Sequence, residues 1–349
     1  MSLAKTGEST PHHDKDILGL MRAGRALSED EMIAVMRHIM DGGVNDDTLA
    51  DFLIAMSERG ETVDELTGAA RVLREKANPV TAPDDAMDCC GTGGDHAGTY
   101  NISTLVALIC AACGVPVAKH GNRAASSKSG AADVLESLGV KLDMNRETLE
   151  YALATLSFCF LMAPGHHQAM RHVAPVRKKL GRRTIFNLLG PLANPAGTRM
   201  QLIGVYDPRW LSPLAETLHK LGTERAWIVH GHDGLDEITI TGDTDICILN
   251  RGTIRMERLS PDSFGLPCHP PEELRGGDAV ENARALRDAL AGKASAYRDI
   301  ALANAAAALA IHRDADLTAL PSLTEQAATA LDSGRAAQIL EAYITLGKD

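Results

Sequence analysis

The sequence predicts an α/β protein in which a small all-helical domain precedes a larger domain built on a β-sheet. Residues 16–80 consist of short amphipathic helical patterns without a strand-like stretch. From residue 86 to residue 349, apolar strand-like stretches alternate with helical patterns, which is typical of sheets that bind ligands at the carboxyl ends of their strands. The stretch NPVTAPDDAMD, residues 78–88, has two prolines and no periodicity, and it marks the domain boundary.

The helices predicted in the first domain carry start and stop signals. The stretches SEDE at 28–31 and TVDE at 62–65 have the spacing of a capping box, in which a hydroxyl and a glutamate satisfy main-chain N–H groups at the start of a helix. The glycine pair at 42–43 ends one helix, and Asn45 can cap the next.

The second domain is predicted from alternating periodicities. The strand-like stretches are MDCC, VPVAK, SFCFLMAP, RMQLIGVYD, RAWIVHG and EITIT. Helical patterns separate most of them, at residues 102–113, 131–138, 146–156 and 211–221, and two more follow residue 277. Residues 166–195 break the alternation with an amphipathic helix and a turn, LLGPLANPAG. We expect this segment to leave the sheet and pack on the N-terminal helices.

Composition limits the classes of partner. The net charge is −11, from 35 basic and 46 acidic residues, which argues against nucleic acid as a partner of the whole surface. No apolar run is long enough to cross a membrane, and residues 1–15, expected to form a flexible tail, lack the apolar core of a signal peptide. Most of the seven cysteines lie in apolar runs, which indicates reduced thiols and a cytoplasmic protein. Cys110 and Cys113 have redox-motif spacing, but their apolar helical setting favours a buried structural role.

The first candidate site is the glycine-rich stretch CCGTGGDHAGTYNIST at 89–104. Its glycines let main-chain N–H groups approach an anion, and the helix that follows adds its N-terminal dipole. It is not a Walker A loop, because no Gly-Lys-Ser/Thr follows, and it is not a dinucleotide fingerprint, because His96 stands where the third glycine would be. An ordinary strand-to-helix turn is the alternative. Asp95 is an acidic residue among groups that would bind phosphate, and its charge is compatible with that site if it faces a sugar hydroxyl or an ion.

The second candidate site is KHGNRAASSKSG at 119–130, which follows a predicted strand. It contains Lys119 and Arg123 as cations, several serines and no acidic residue, so it could bind phosphate; a solvated polar loop is the alternative. A third candidate is the carboxylate pair Asp236 and Glu237, which could ligate Mg²⁺ or form an exposed acidic turn.

Three histidines at 166, 167 and 172 do not match the spacing of a zinc motif. A cation of the following helix could instead bind a substrate carboxylate. The sequence shows no Ser-His-Asp or Cys-His nucleophile. Together, these features indicate a phosphate-rich substrate, a nearby Mg²⁺ and displacement at a phosphorylated sugar.

Four stretches together resemble the anthranilate phosphoribosyltransferase family, and the similarity extends from about residue 16 to the C-terminus. They are GTGGDHAGTYNIST, KHGNRAASSKSGAADVLESLG, APGHHQAMRHVAPVRKKLGRRTIFNLLGPLANPAG and VHGHDGLDEITI. The resemblance implies the fold of the nucleoside phosphorylase/phosphoribosyltransferase class, with a central mixed sheet, a helical domain that forms a homodimer, and an active site between the domains. It implies transfer of phosphoribose from phosphoribosyl pyrophosphate to the amine of anthranilate, with Mg²⁺ as cofactor.

The resemblance also implies site residues. Lys119 and Asp95 are expected to be catalytic, and Ser103, Asp236 and Glu237 to bind the metal. The phosphoribosyl pyrophosphate site would comprise Gly91, Gly94, Asp95, Thr99, Asn101, Ile102, Ser103, Thr104, Lys119, His120, Gly121, Asn122, Arg123, Ala124, Ala125, Ser126, Ser127 and Ala131. The anthranilate site would comprise Gly91, His120, Asn122, Arg177, Gly190 and Pro191.

Three positions depart from the family pattern: His96 replaces a usual glycine, Met162 a usual phenylalanine and Gln168 a usual proline. Two alternatives stay open on the sequence alone. One is a related transferase with a different acceptor, and the other is a non-catalytic nucleic-acid-binding protein of the same fold.

Overall fold

The computed structural model describes residues 24–95, 97–124 and 128–348. The predicted tail at 1–15, His96 and three predicted phosphate-site residues, Ala125, Ser126 and Ser127, lie outside the described residues.

The N-terminal part is helical, as predicted. It contains α1 (Glu29–Met40), α2 (Asp46–Arg59) and α3 (Val63–Glu75). Both predicted capping boxes form: at the start of α1, for example, Glu31 N donates to Ser28 Oγ at 3.3 Å and Ser28 N donates to Glu31 Oε2 at 2.9 Å. The Asn45 side chain accepts from Thr48 N at 2.9 Å, so the predicted cap of α2 also forms.

In the described part of the chain, seven strands form one mixed sheet in the order β3-β2-β1-β4-β5-β6-β7. They are β1 (Met87–Gly91), β2 (Val117–Gly121), β3 (Phe158–Met162), β4 (Met200–Gly204), β5 (Arg225–Gly231), β6 (Thr244–Asn250) and β7 (Thr253–Leu259). The first five run parallel, and β6 and β7 pair antiparallel. The strand order reverses between β1 and β4, which is where open α/β sheets place their ligands.

The helices between and after the strands are α4 (Ile102–Ala112), α5 (Ala131–Ser137), α6 (Arg146–Leu156), α7 (Ala163–His166), α8 (Ala174–Leu180), α9 (Ile185–Leu192), α10 (Leu211–Lys220), α11 (Ala279–Leu290), α12 (Ala296–Arg313), α13 (Leu320–Asp332) and α14 (Arg335–Leu346). Short 3₁₀ turns occupy Gln168–His172, Pro208–Trp210, Pro261–Phe264, Pro271–Leu274 and Leu317–Ala319. Of the described helices, none is both long and apolar enough to cross a membrane.

Each face of the sheet has its own core because side chains alternate along a strand. On β5, Trp227 and Val229 pack with α4 and α12, whereas Ala226 and Ile228 face the opposite core. That opposite core includes α10, the N-terminal helices and apolar residues of 173–193. Ser57 Oγ of α2 also donates to Arg183 O at 3.2 Å. These contacts hold the segment between β3 and β4 against the N-terminal helices.

Two local predictions are wrong. The stretch EITIT forms no strand, because Ile238 hydrogen-bonds through its main chain to the Asn304 side chain and Thr239 N donates to Thr244 Oγ1. Its alternating pattern arises from Ile238 and Ile240, which are both buried. The antiparallel β6 and β7 were not predicted. The stretch LLGPL, predicted as a turn, lies within α9, which includes Pro191.

Candidate active site

A cavity of about 510 Å³ lies at the carboxyl ends of the central strands. It is lined by the turn after β1, the first residues of α4, Lys128 and Ser129 of the predicted basic loop, the Asp236-Glu237 pair and the start of the segment after the Pro271–Leu274 turn. Nine of the residues predicted for the site line it: Gly91, Gly94, Asp95, Thr99, Asn101, Ile102, Ser103, Asp236 and Glu237.

Two paired glycines position Asp236 at this edge of the sheet. Gly91 of β1 is in register with Gly204 of β4. A Cβ on Gly91 would lie 2.2 Å from Asp236 Oδ2, and a Cβ on Gly204 would lie 1.5 Å from the Asp236 main-chain oxygen. Gly93 N donates to Asp236 Oδ2 at 2.7 Å. Asp236 therefore packs against the ends of β1 and β4, and its carboxylate contacts the glycine-rich turn.

Lys119 lies in the middle of β2 and is 1 % exposed. Its Nζ donates to Cys89 O at 2.7 Å and to Ser103 Oγ at 3.0 Å. Lys119 itself does not line the cavity, but it contacts the cavity wall through Ser103. A buried ammonium group next to a phosphate-sized space provides a strong local positive charge.

The two carboxylates have unusual proton affinities. Burial, together with the charges of Asp95 and Glu237, raises the pKa of Asp236 well above its usual range. Burial and Asp95 raise the pKa of Glu237 to about 8, although Lys119 opposes that shift. Buried carboxylates of this kind gain stability when a cation neutralises them.

The donor set at this edge fits magnesium. Asp236 and Glu237 supply carboxylate oxygens and Ser103 supplies a hydroxyl oxygen, which are the ligands that Mg²⁺ prefers. Among residues 24–95, 97–124 and 128–348, no group of three His, Cys, Asp or Glu side chains forms a complete metal site. A bound Mg²⁺ would therefore take its other ligands from water or substrate phosphates, as is usual for this ion.

The start of α4 presents small polar groups to the cavity. Asn101 is the N-cap residue and makes no capping hydrogen bond with its side chain. Its Oδ1 instead accepts from Asn282 Nδ2 at 2.9 Å, and its main-chain oxygen accepts from the Tyr297 hydroxyl at 3.0 Å. Thr104 lies one turn inside, where its buried Oγ1 has no hydrogen-bond partner within the described part of the chain. Ile102 lines the cavity, but its side chain is buried in the core.

The predicted basic loop begins at the end of β2. Gly121 packs closely on the Phe160 ring, since a Cβ at Gly121 would lie 2.7 Å from it. The Arg123 guanidinium pairs with Asp133 and Glu136 at 3.0 and 2.8 Å, so it is directed towards α5. The other described residues of the predicted phosphoribosyl pyrophosphate site in this part of the chain are Asn122 and Ala124, which follow β2, and Ala131, the first residue of α5. None of these residues lines the large cavity.

The predicted acceptor residues form a second group. His120 Nδ1 lies 3.2 Å from Gly190 O, and the rings of His120 and His167 have centroids 5.2 Å apart. Burial and the neighbouring His167 lower the pKa of His120 to about 3, so its imidazole is neutral. The Arg177 guanidinium lies 5.5 Å from the Phe186 ring centroid, and burial lowers its pKa. Pro191 O accepts from Gln201 Nε2 at 2.8 Å.

Two contributions to this region were not predicted from the sequence. Arg275 and Gly276 line the cavity from a segment far along the chain. Arg183 Nη2 donates to Gly94 O, and its guanidinium lies 4.1 Å from the Tyr206 ring centroid. The stretch RGGD at 275–278 resembles the glycine-rich turn in composition, and that similarity was the available signal.

The chain matches a known family in both of its parts. Residues 15–77 match the glycosyl transferase family, helical bundle domain, and residues 83–337 match the glycosyl transferase family, a/b domain. The boundary between the two matches lies in the proline-containing stretch after α3.

Named relatives cover almost the whole chain. Anthranilate phosphoribosyltransferase of Azospirillum brasilense is 53 % identical over 342 residues, which are 97 % of this chain and 95 % of the relative. The Rhodospirillum rubrum protein of the same name is 50 % identical, with 98 % of each chain covered.

Solved structures agree with these relatives. The crystal structure of the Thermus thermophilus enzyme superposes with a TM-score of 0.90 at 42 % identity, covering 96 % of this chain and all of that one. The Saccharomyces cerevisiae enzyme in complex with PRPP and Mg has a TM-score of 0.87 at 27 % identity, covering 97 % and 99 %. The chain therefore belongs to the glycosyl transferase family and, within it, to the anthranilate phosphoribosyltransferases, the transferases that add a phosphoribosyl group to anthranilate in tryptophan biosynthesis.

Proposed function

We propose that the cavity at the strand ends binds 5-phosphoribosyl 1-pyrophosphate and that anthranilate attacks its C1 from the side of Arg177. The products are N-(5-phosphoribosyl)anthranilate and pyrophosphate. The observation that carries this proposal is the convergence of Lys119, Ser103 and the Asp236-Glu237 pair, from separate segments, on one edge of the sheet. A buried cation, a hydroxyl and two carboxylates suit a magnesium diphosphate leaving group.

The donor substrate is assigned to the residues predicted for it. The glycine turn offers main-chain N–H groups, and the start of α4 offers a helix N-terminus and small hydroxyls, which together stabilise phosphate oxygens. Asp95 is assigned to a ribose hydroxyl or an ion. The full proposed set is Gly91, Gly94, Asp95, Thr99, Asn101, Ile102, Ser103, Thr104, Lys119, His120, Gly121, Asn122, Arg123, Ala124, Ala125, Ser126, Ser127 and Ala131.

Magnesium is assigned to Ser103, Asp236 and Glu237. When bound, Mg²⁺ supplies positive charge to the pyrophosphate. The raised pKa values of Asp236 and Glu237 support this assignment, because both carboxylates are destabilised as anions without a cation.

Anthranilate is assigned to Gly91, His120, Asn122, Arg177, Gly190 and Pro191. Arg177 has no acidic partner among the described residues, so its guanidinium is available for the anthranilate carboxylate. The neutral, buried His120 offers a flat wall for an aromatic ring. These features favour a planar aromatic acid over a nucleobase.

The chemistry depends on the leaving group because the aryl amine of anthranilate is a weak nucleophile. Lys119 stabilises the negative charge that develops on pyrophosphate as the bond from C1 to oxygen breaks. Asp95 is assigned to hold the ribose, and Arg177 holds the amine near an oxocarbenium-like C1. We assign no general base.

We further propose that the protein acts in the cytoplasm as a homodimer joined through its helical domain. This rests on the membership of the family and on the helical character of residues 29–75.

The decisive experiment is a fluorescence assay of anthranilate consumption with phosphoribosyl pyrophosphate. We expect turnover that requires Mg²⁺ and stops with a chelator. Consumption of a pyrimidine nucleoside with phosphate, without anthranilate turnover, would identify a relative with a different acceptor. Salt-dependent binding of single-stranded DNA without any turnover would favour the nucleic-acid alternative.

A further inference from the structure

The cavity has a wall that comes from the C-terminal third of the chain. Tyr100 N donates to Leu274 O at 3.2 Å, and Gly276 N donates to Gly98 O at 2.9 Å. Between these bonds, Thr99 and Arg275 form an antiparallel β-bridge. Two main-chain hydrogen bonds thus join residues 274–276 to the strand-like stretch that precedes α4.

The contact is too close for a side chain at position 276. A Cβ on Gly276 would lie 2.7 Å from Thr99 O and 2.8 Å from Asn282 Oδ1. Asn282, which is 2 % exposed, accepts from Gly277 N at 2.8 Å and donates to Asn101 Oδ1 at 2.9 Å. The main chain at Arg275 is therefore held at a fixed distance from the cap of α4.

Arg275 lines the cavity, and its side chain is exposed. Within the described part of the chain, its guanidinium forms no ion pair and no hydrogen bond. Two arginines on the helices that follow are, by contrast, paired: Arg287 pairs with Glu341 at 2.9 Å, and Arg298 pairs with Asp332 at 2.9 Å. A positive charge is thus left unneutralised at the mouth of a cavity in an acidic protein.

The remaining charges of the site leave a role for this cation. Three carboxylates, Asp95, Asp236 and Glu237, line the cavity and repel a phosphorylated ligand. Lys119 donates two of its three N–H groups to protein atoms, and Arg123 is paired with acids. Lys119 is therefore a buried and partly committed cation, whereas the two cations that line the cavity, Lys128 and Arg275, are exposed, and the Arg275 guanidinium offers five donors on the solvent side.

We propose that Arg275 is a further substrate-binding residue, which binds a phosphate of phosphoribosyl pyrophosphate from the solvent side of the cavity. The proposal rests on the assignment of that substrate to this cavity. A planar guanidinium binds two phosphate oxygens at once, and it loses little stability when the site is empty because the side chain is exposed. Arg275 holds the substrate against the α4 N-terminus and takes no part in bond breaking.

The test compares Arg275→Ala with Arg284→Ala. Arg284 lies on α11, is exposed, and like Arg275 has no ion pair in the described ranges, but it does not line the cavity. We expect Arg275→Ala to raise the Kd for phosphoribosyl pyrophosphate with Mg²⁺ about tenfold, as measured by calorimetry, since charge-assisted hydrogen bonds are strong. The KM for anthranilate should stay within about twofold, and Arg284→Ala should bind like the wild type. Arg275→Lys should bind with intermediate affinity, because a lysine keeps the charge and loses the second donor.

Three results would overturn the assignment. One is an Arg275→Ala protein whose Kd for phosphoribosyl pyrophosphate equals that of the wild type. Another is an equal loss for both substrates with a lower Tm, which would indicate a structural role. A wild-type protein that does not bind phosphoribosyl pyrophosphate at all would overturn the proposed function as well, so the two failures are distinguishable.

Discussion

Lys119 Nζ donates a hydrogen bond to Ser103 Oγ across 3.0 Å, although the two residues lie on different elements, β2 and α4. The hydrogen bond holds the buried ammonium group of Lys119 against Ser103, which lines the cavity. Ser103 keeps a lone pair for a second interaction, since a hydroxyl oxygen accepts up to two hydrogen bonds or ligates a metal. β2 and the start of α4 therefore meet at one side chain that lines the cavity.

Lys119→Met removes the charge and keeps a side chain of similar length. We expect kcat to fall about 10²- to 10³-fold, because one preorganised electrostatic group at a leaving group contributes on that scale. The measurement is the initial rate of anthranilate consumption at saturating substrates. Lys141→Met is the control, because Lys141 is exposed in the loop after α5 and does not line the cavity. A kcat within threefold of wild type would contradict the role of Lys119.

Gly91→Ala tests the contact with Asp236. The new Cβ would lie 2.2 Å from Asp236 Oδ2, so the carboxylate has to move. We expect the Mg²⁺ concentration for half-maximal rate to rise at least about tenfold, because metal ligands tolerate little displacement. Gly242→Ala is the control, since a Cβ there meets no atom within 4 Å. Identical magnesium titrations of the two variants would argue against the contact.

Arg177→Ala tests the acceptor site. We expect the KM for anthranilate to rise about tenfold or more, while the KM for phosphoribosyl pyrophosphate changes less than about threefold, because only anthranilate loses a carboxylate partner. Steady-state kinetics with each substrate varied in turn provides the measurement. Lys178→Ala removes the adjacent exposed cation and should change neither constant. Equal effects of Arg177→Ala on both substrates would refute the assignment.

His269 gives a pH-dependent contribution to stability. Its Nδ1 lies 3.0 Å from Glu273 Oε2 and its Nε2 lies 3.0 Å from Asp299 Oδ2, with Arg298 also beside Asp299. Partial burial opposes protonation, but the two carboxylates outweigh it and raise the pKa of His269. A raised folded-state pKa stabilises the protein fully below the unfolded value of about 6.5, and the contribution is lost as pH rises through the raised pKa.

His269→Gln should therefore lower the Tm by about 2 °C near pH 5.5 and by much less near pH 9, on the usual scale for a partly exposed ion pair. The measurement is a series of thermal unfolding curves across that range. His219→Gln, at an exposed histidine on α10, is the control for the loss of a surface histidine. A constant Tm difference for His269→Gln would contradict the prediction.

Local chemistry made part of this site predictable. Glycines before a helix, a lysine at a strand end and adjacent carboxylates each require a particular environment, so their residue types alone indicated phosphate and metal binding. Gly91, Ser103 and Asp236 were identified in this way and do meet in one cavity. The helical caps at residues 28, 45 and 62 were predictable because a cap depends only on residues close in sequence.

Long-range pairing was not predictable in the same way. Arg275 reaches the cavity only because residues 274–276 pair with 98–100, and nothing local in either stretch shows that pairing. The stretch EITIT has the alternation of a strand, but Asn304 of α12 takes its main-chain hydrogen bonds. In both cases the deciding partner lies more than sixty residues away along the chain.

The position of Arg177 on an inserted segment has a consequence for how such an enzyme can change. The cation proposed to select the acceptor lies on the segment between β3 and β4, which packs on the N-terminal helices, whereas the groups proposed to bind phosphate line the cavity at the strand ends. Three of the residues assigned to the acceptor, Arg177, Gly190 and Pro191, thus lie in one contiguous block, residues 163–199, inserted between two strands. We expect residues 163–199 to be exchangeable between relatives as one segment. Such an exchange would change which acceptor is bound and would leave the residues proposed to bind the sugar donor unchanged.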